Sequence, residues 1–304
     1  MDRNESEEAE NVMSAEQQAA SEAEQASSAR YAKYVLFVLI IVYIFNFIDR
    51  QILSILAEEI KADLGIGDAE IGFLYGTAFA VFYAVFGIPL GRLADMWNRK
   101  KLISMGLSFW SLMTAMSGFA QNFGSLAFCR FGVGVGEASA TPAAFSMLSD
   151  YFSPKVRATV LAIYSSGIYL GSGIGLFLGG AIVHSWHGWY PDPTLAPLGI
   201  KAWQAAFLAV GVPGIFMAIW VWTLREPVKG ASEGILTPQH PAPFQAAGKS
   251  LMSVLPGFSI VSLYVAGGLR AVVINLVVAT LIGLLFYGLY VLMPTLLQWI
   301  ALGI

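Results

Sequence analysis

The chain has 304 residues, of which 57% are hydrophobic and only 12% charged, with a mean hydropathy of +0.66. A soluble globular domain carries about a quarter charged residues, so this balance excludes an ordinary soluble enzyme, a nucleic-acid binder and a disordered scaffold. The formal net charge of -3 hides an asymmetry: residues 1–29 hold eight acids and one base, and the rest of the chain holds sixteen bases and twelve acids.

Residues 1–29 are rich in Ser, Ala, Gln and Glu and almost free of large apolar side chains, so they are expected to form a disordered cytoplasmic tail. The acidic start and the missing cleavage site argue against a signal peptide. Six apolar runs follow: Tyr34–Leu56, Ile71–Leu90, Leu102–Ala120, Ser125–Leu148, Ala158–Val183 and Trp203–Leu224. At 1.5 Å per residue each is long enough to cross a hydrocarbon core of about 30 Å as a helix. Barrel strands do not fit, because strict alternation is absent and the runs exceed about ten residues. The fold class expected is an all-α polytopic membrane protein with a six-helix bundle over 30–226.

Basic residues orient the bundle. Ten lie on one set of loops (Arg30, Lys33, Arg92, Arg99, Lys100, Lys101, Lys155, Arg157, Arg225, Lys229) and two, Lys61 and Lys201, on the other. An excess of lysine and arginine marks cytoplasmic loops, which places the N-terminus in the cytoplasm, with the inner membrane of a bacterium as the expected location. His184 and His187 in the longest opposite loop have metal-ligand spacing, but Trp186, Trp189 and Tyr190 beside them read as an interfacial aromatic belt. The only cysteine is Cys129, so no intrachain disulfide and no paired-cysteine site exists. Residues 227–249 form a polar linker. Residues 250–304 add one or two membrane helices: a hairpin turning at Gly267-Gly268, or a cytoplasmic segment before one long span kinked by Pro294.

Charges inside the runs carry the chemistry. Arg130 and Glu137 are seven residues apart, hence on nearly one helix face and about 10 Å apart along the axis. Counting inward from the helix ends puts Asp49 and Arg130 at matching depths of about 10 Å and 9 Å, so they are expected to pair, with Glu137 deeper. A charge at mid-membrane costs several kcal/mol unless paired or hydrated. The expected switch has Arg130 shared between two acids: protonating Glu137 releases Arg130 toward Asp49. Arg50 points about 100° from Asp49 and is given an anchoring role. Gly171, Gly175 and Gly179, four apart, form a smooth face for helix packing, expected against a domain partner. The glycines around Arg130 imitate a dinucleotide fingerprint, but no strand precedes them.

The loop Gly91-Arg-Leu-Ala-Asp95-Met-Trp-Asn98-Arg99-Lys100-Lys101 resembles the major facilitator superfamily signature G-x-L-a-D-x-x-G-R-[RK]-x, departing from it at Asn98, which tolerates a left-handed turn. The resemblance implies a conformational latch built from Gly91, Asp95, Arg99 and Lys100, with Asp95 meeting basic side chains and a helix N-terminus. Phe45-Asn-Phe-Ile-Asp49-Arg50, Gly136-Glu137-Ala-Ser139, Ser149-Asp150-Tyr-Phe152 and Gly171-Ser-Gly-Ile-Gly175 resemble the Spinster-like branch over about residues 34–227. The family's helix 1 acid, helix 4 arginine and helix 4 glutamate map onto Asp49, Arg130 and Glu137. The antiporter motif of the fifth helix is similar to Gly171–Gly180, but Leu176 replaces its proline.

This resemblance implies proton-coupled transport of lysophospholipids or sphingoid lipids by alternating access, the proton being the coupling ion and no cofactor, catalytic residue or metal being required. Aromatics such as Tyr43, Phe79 and Tyr83 suit an apolar tail cavity. The partners expected are a lipid or amphipathic substrate and membrane lipids, without nucleic acid. A carrier of drugs or organic anions, and a non-transporting membrane regulator, are the competing readings. The family fold has two six-helix halves. No second signature loop follows residue 227, so the chain reads as a partial product, or as a half that completes itself with a missing second half or a homodimer.

Overall fold

The computed structural model describes residues 2–234, 240–255 and 258–292, and among them all regular structure is helical. α1 (Asp2–Ile55) runs unbroken from the acidic segment through the first apolar run. The tail expected to be disordered is therefore helical from Asp2. Its composition permits this, because Ala, Glu and Gln are strong helix formers and the adjoining span supplies the nucleus that a short polar helix lacks. α2 (Ala57–Leu64) ends at Gly65, whose φ of 64° closes the turn that glycine tolerates best.

α3 (Asp68–Gly72) leads through a π-helical turn at Phe73–Thr77 into α4 (Ala78–Met96). Asn98 then caps α5 (Arg99–Ser117): its side chain accepts from Lys101 N at 3.0 Å. Its φ is -73°, so Asn98 acts as a helix cap and not in the left-handed conformation anticipated for the loop. The fourth run divides into α6 (Phe123–Glu137) and α7 (Ala140–Tyr151), and the fifth into α8 (Pro154–Ser165) and α9 (Gly167–Trp189). α10 (Ala202–Trp222), α11 (Pro243–Val254) and α12 (Phe258–Leu292) complete the described chain.

Among the described residues five segments are long and apolar enough to cross a membrane: Ser28–Ile55, Asp68–Met96, Pro154–Trp189, Ala202–Trp222 and Gly267–Gly288. α5 falls short because Arg99, Lys100, Lys101 and five hydroxyl residues dilute it, and α6 because it stops at Glu137 after 15 residues.

The stretch 251–269 does not form one span. Its start belongs to α11, which lies against α4: Arg92 Nη1 donates to Ser250 Oγ at 2.8 Å, and the Phe244 and Trp97 rings are 4.9 Å apart. Gly268 leaves helical geometry at φ 67°, and the span candidate begins beside it. This favours a packed segment followed by one span over a hairpin, because α11 lies on α4 with Ala247 and Ser250 buried in the contact. Pro294 lies outside the described residues.

Two apolar clusters fill the bundle. One, at the basic end, gathers Leu93, Leu102, Trp110, Met147 and Leu224. The other, at the end where α2 lies, gathers Ile52, Leu56, Ile60, Leu126, Trp203 and Phe207. α5 and α10 meet closely through Gly211 and Gly214, where an added Cβ would fall 2.4 Å from Ala115 N and 2.1 Å from Ser111 Oγ.

The small-residue face of α9 packs inside the same bundle, against α1. A Cβ on Gly171 would sit 2.6 Å from Ile44 O, on Gly175 3.0 Å from Ile48 Cα, and on Gly179 2.7 Å from Ile55 Cδ1. The expected partner from another domain is thus replaced by the first helix of this one. Gly171→Ala forces the two backbones apart and should destabilise the bundle by about 1–3 kcal/mol. Gly173→Ala meets nothing within 4 Å and should leave the thermal midpoint unchanged or raised, because alanine favours helix. Equal midpoints for the two variants in one detergent would refute this packing.

Candidate functional site

Four charged side chains come together between the two apolar clusters. Asp49 and Arg50 enter from α1, Arg130 and Glu137 from α6. Arg130 Nη1 lies 3.5 Å from Asp49 Oδ1, and Thr114 of α5 donates its hydroxyl to Asp49 Oδ2. The Asp49–Arg130 contact anticipated from helix depth is present.

Glu137 is placed differently. Its Oε2 accepts from Arg50 Nε at 2.7 Å, so Arg50, and not Arg130, is its partner. The anchoring role anticipated for Arg50 is corrected accordingly. The Arg50 and Asp49 side chains leave α1 about 100° apart, but the long arginine stem reaches around the helix to α6. The Arg50 guanidinium lies over three rings, Phe47 at 4.9 Å, Phe79 at 4.5 Å and Tyr83 at 5.0 Å. Arg130 also approaches Phe79, at 5.9 Å, so the two cations share one ring.

Backbone features put these groups within reach. A Cβ on Gly134 would lie 2.6 Å from Phe79 O, and one on Gly136 would lie 2.9 Å from Gly106 O. The glycines around Arg130 therefore seat α6 against α4 and α5, a packing role and not a nucleotide cradle. Glu137 is the last residue of α6, where Ser139 N and Oγ turn back onto Gly136 O at 3.3 and 2.8 Å. Arg130 Nε, Glu137 Oε1 and Asn46 Oδ1, and at the basic end Arg157 Nε, are buried without a hydrogen-bond partner among the described residues.

A second charged cluster closes the basic end. Arg99 is buried and pairs with Asp150 of α7 and, through Nε at 2.8 Å, with Glu226 Oε1. Its Nη1 donates to Ser146 O at 3.2 Å and its Nη2 to Pro227 O at 2.8 Å. Glu226 also caps α5, accepting from Arg99 N at 3.1 Å and Lys100 N at 2.9 Å, while Lys100 Nζ donates to Leu224 O at 2.6 Å. A carboxylate at a helix N-terminus meets unpaired N–H groups and the positive end of the dipole.

Asp95, expected at this position, is exposed and makes no hydrogen bond or ion pair among the described residues. Asp150 and Glu226 take the part assigned to it. Asp95 acts instead on Lys229, whose amine burial holds below the usual lysine range, with Asp95, Glu226 and Asp150 opposing that shift. Gly91 faces Pro142 of α7, where a Cβ would meet ordinary contact at 3.9 Å. Asp150 lay inside a stretch already notable in the sequence, and Glu226 stands directly after the sixth apolar run; an acid flanking a helix end was the signal available for both.

The Major Facilitator Superfamily profile matches residues 39–302. The chain belongs to the Major Facilitator Superfamily. Within it, the chain is 32% identical over 195 residues to Protein spinster homolog 1 of Homo sapiens, covering 63% of this chain and 34% of that protein. It is 29% identical over 184 residues to the Probable L-galactonate transporter of Escherichia coli (strain K12), covering 60% of this chain and 37% of that protein. A crystal structure of a bacterial homolog to the human lysosomal transporter Spinster, inward-facing and unoccupied, matches with a TM-score of 0.61 at 35% identity, over 71% of this chain and 47% of that one. The chain thus spans just over a third of the length of these curated relatives.

Removing either carboxylate of Arg99 forfeits charge-assisted hydrogen bonds worth about 1.5–3 kcal/mol. Asp150→Asn and Glu226→Gln should each lower the thermal midpoint of the purified chain, whereas Asp95→Asn should change stability by less than about 0.5 kcal/mol. A larger loss for Asp95→Asn than for the other two would restore the loop acid as the partner.

Proposed function

We propose that the protein is a proton-coupled secondary transporter of lysophospholipids or sphingoid lipids, with Asp49, Arg50, Arg130 and Glu137 linking proton occupancy to conformation. The Arg50–Glu137 pair carries the proposal: Arg50 keeps 26% of its side chain exposed while Glu137 is fully buried. Protonating Glu137 removes the charge that holds Arg50 and frees the guanidinium for an anionic headgroup. Arg130 stays with Asp49 and Thr114, so the mobile cation is Arg50 and not, as first expected, Arg130. Phe47, Phe79 and Tyr83 place apolar ring surface beside that cation, as an amphiphile requires.

The two lipid classes engage the pair differently. A phosphate complements Arg50 directly, whereas a sphingoid ammonium replaces Arg50 at Glu137. A lipid cargo is what the Spinster-like motifs imply, and the likeness to Spinster proteins supports a transporter of that branch. The excess of basic residues on one set of loops supports a cytoplasmic basic end and N-terminus in a bacterial inner membrane. The second reading is a carrier of sugar acids. A carboxylate suits Arg50 as a phosphate does, and the likeness to a Probable L-galactonate transporter favours it.

Tryptophan fluorescence of the chain in nanodiscs, titrated at about pH 5.5 and pH 8, separates these readings. Lysophosphatidylglycerol is expected to bind saturably and more tightly at the lower pH, and Glu137→Gln should abolish that pH difference. Arg50→Gln should weaken binding about tenfold, the loss of about 1.4 kcal/mol of charge-assisted bonding. Binding of galactonate without lysolipid would favour the sugar-acid carrier. An unchanged pH response in Glu137→Gln would remove Glu137 from the coupling. Binding to the intact protein without flux into vesicles would favour the non-transporting regulator.

A further inference from the structure

The end of the bundle opposite the basic loops carries a cavity that the transport reading does not use. It has a volume of about 360 Å³ and lies where α2, the end of α9 and the start of α10 converge. Glu59 and Asp63, four apart on α2, face it from one side, and Trp186, Tyr190 and Trp203 line it from the others. The Trp186 and Tyr190 ring centroids are 5.0 Å apart at 50°. Trp186 is fixed by Nε1 donating to Ile200 O at 3.1 Å, and Trp203 by Nε1 donating to Asp63 Oδ2 at 2.9 Å. The aromatic walls are thus held in place from behind.

The charges select the occupant. Lys201 pairs with the other oxygen of Asp63, which neutralises that acid. Glu59 meets only His187, through Oε1 at 2.9 Å, and its Oε2 takes no hydrogen bond among the described residues. Of the charged side chains lining the cavity, Asp63 is matched by Lys201, so Glu59 is the carboxylate there without a lysine partner and favours a cation. A divalent metal ion requires six or more oxygens, which one free carboxylate oxygen among rings does not offer. An ammonium bearing methyl groups suits it: its charge meets Glu59 and its methyls meet ring faces.

We propose that this cavity is a binding site for an organic ammonium ion, held by Glu59 and enclosed by Trp186 and Tyr190. The cation comes either as a free amine or as the headgroup of a lipid in the adjacent leaflet. The site is separate from the Arg50–Glu137 pair, and its test does not depend on transport.

The probes are choline, dihexanoylphosphatidylcholine and dihexanoylphosphatidylglycerol, added at constant ionic strength to the chain in nanodiscs and read by tryptophan fluorescence. Saturable change with choline identifies the free amine as sufficient, and change with the phosphatidylcholine alone identifies a lipid headgroup; either supports the site. Glu59→Gln should weaken that binding about tenfold and Tyr190→Leu severalfold, as expected when a desolvated cation loses its counter-charge or a ring. Glu58→Gln, which removes an exposed acid paired with Lys61, should leave it unchanged. No response to either choline or the phosphatidylcholine overturns the proposal. So does an equal response to the phosphatidylglycerol, or an equal loss in Glu58→Gln, which would reduce the effect to general rim charge.

Discussion

The cost of holding an arginine out of water governs this bundle. Arg99 and Arg130 each expose 1% of their side chains, and a buried charge left unpaired costs several kcal/mol. Each is therefore met by acids from other elements, and those acids fix where the helices can lie. Arg130 of α6 ties Asp49 of α1, which in turn binds Thr114 of α5. Arg99 at the start of α5 ties α7 through Asp150 and the segment after α10 through Glu226. The first, third, fourth and sixth apolar runs are thus fastened by two cations at two levels.

Electrostatic ties hold only where backbones approach closely enough, and glycine sets that distance. Without side chains at Gly134 and Gly136, α6 reaches the backbone of α4 and α5, which brings Phe79 near both Arg50 and Arg130. Gly171, Gly175 and Gly179 let α9 lie along α1 on the side away from α6. Small residues therefore set spacing while charges set register, a division suited to lipid, where apolar burial between helices supplies little net drive.

Much of this was legible in the chain. The six apolar runs name the helices, and the matching depths of Asp49 and Arg130 found their contact. The Arg50–Glu137 pair escaped because rotation by residue number treats a side chain as a short radial vector, and arginine reaches around a helix. Asp95 drew attention because it sits in the signature loop, yet its side chain leaves α4 toward solvent, and Asp150 and Glu226, far off in sequence, fill its place. The target of the α9 glycines was misjudged because a smooth face does not say what covers it. The break after Glu137 had a signal in Pro142, which cannot donate to the Ala138 carbonyl four residues earlier and so sits in the first turn of a new helix.

The two charged clusters differ in how completely they are satisfied. At the basic end Arg99 Nε, Nη1 and Nη2 all donate, and Glu226 uses both oxygens on backbone N–H groups. In the bundle interior Arg130 Nε, Glu137 Oε1 and Asn46 Oδ1 have no partner among the described residues. A buried polar atom left unpaired costs about 1–3 kcal/mol, so a network serving only to fix packing is expected to satisfy them. The guanidinium of Arg99 meets that expectation; the interior set does not, and neither does Arg157 Nε at the basic end. Unlike the guanidinium of Arg99, the interior set is left with hydrogen-bonding capacity that the described residues do not fill.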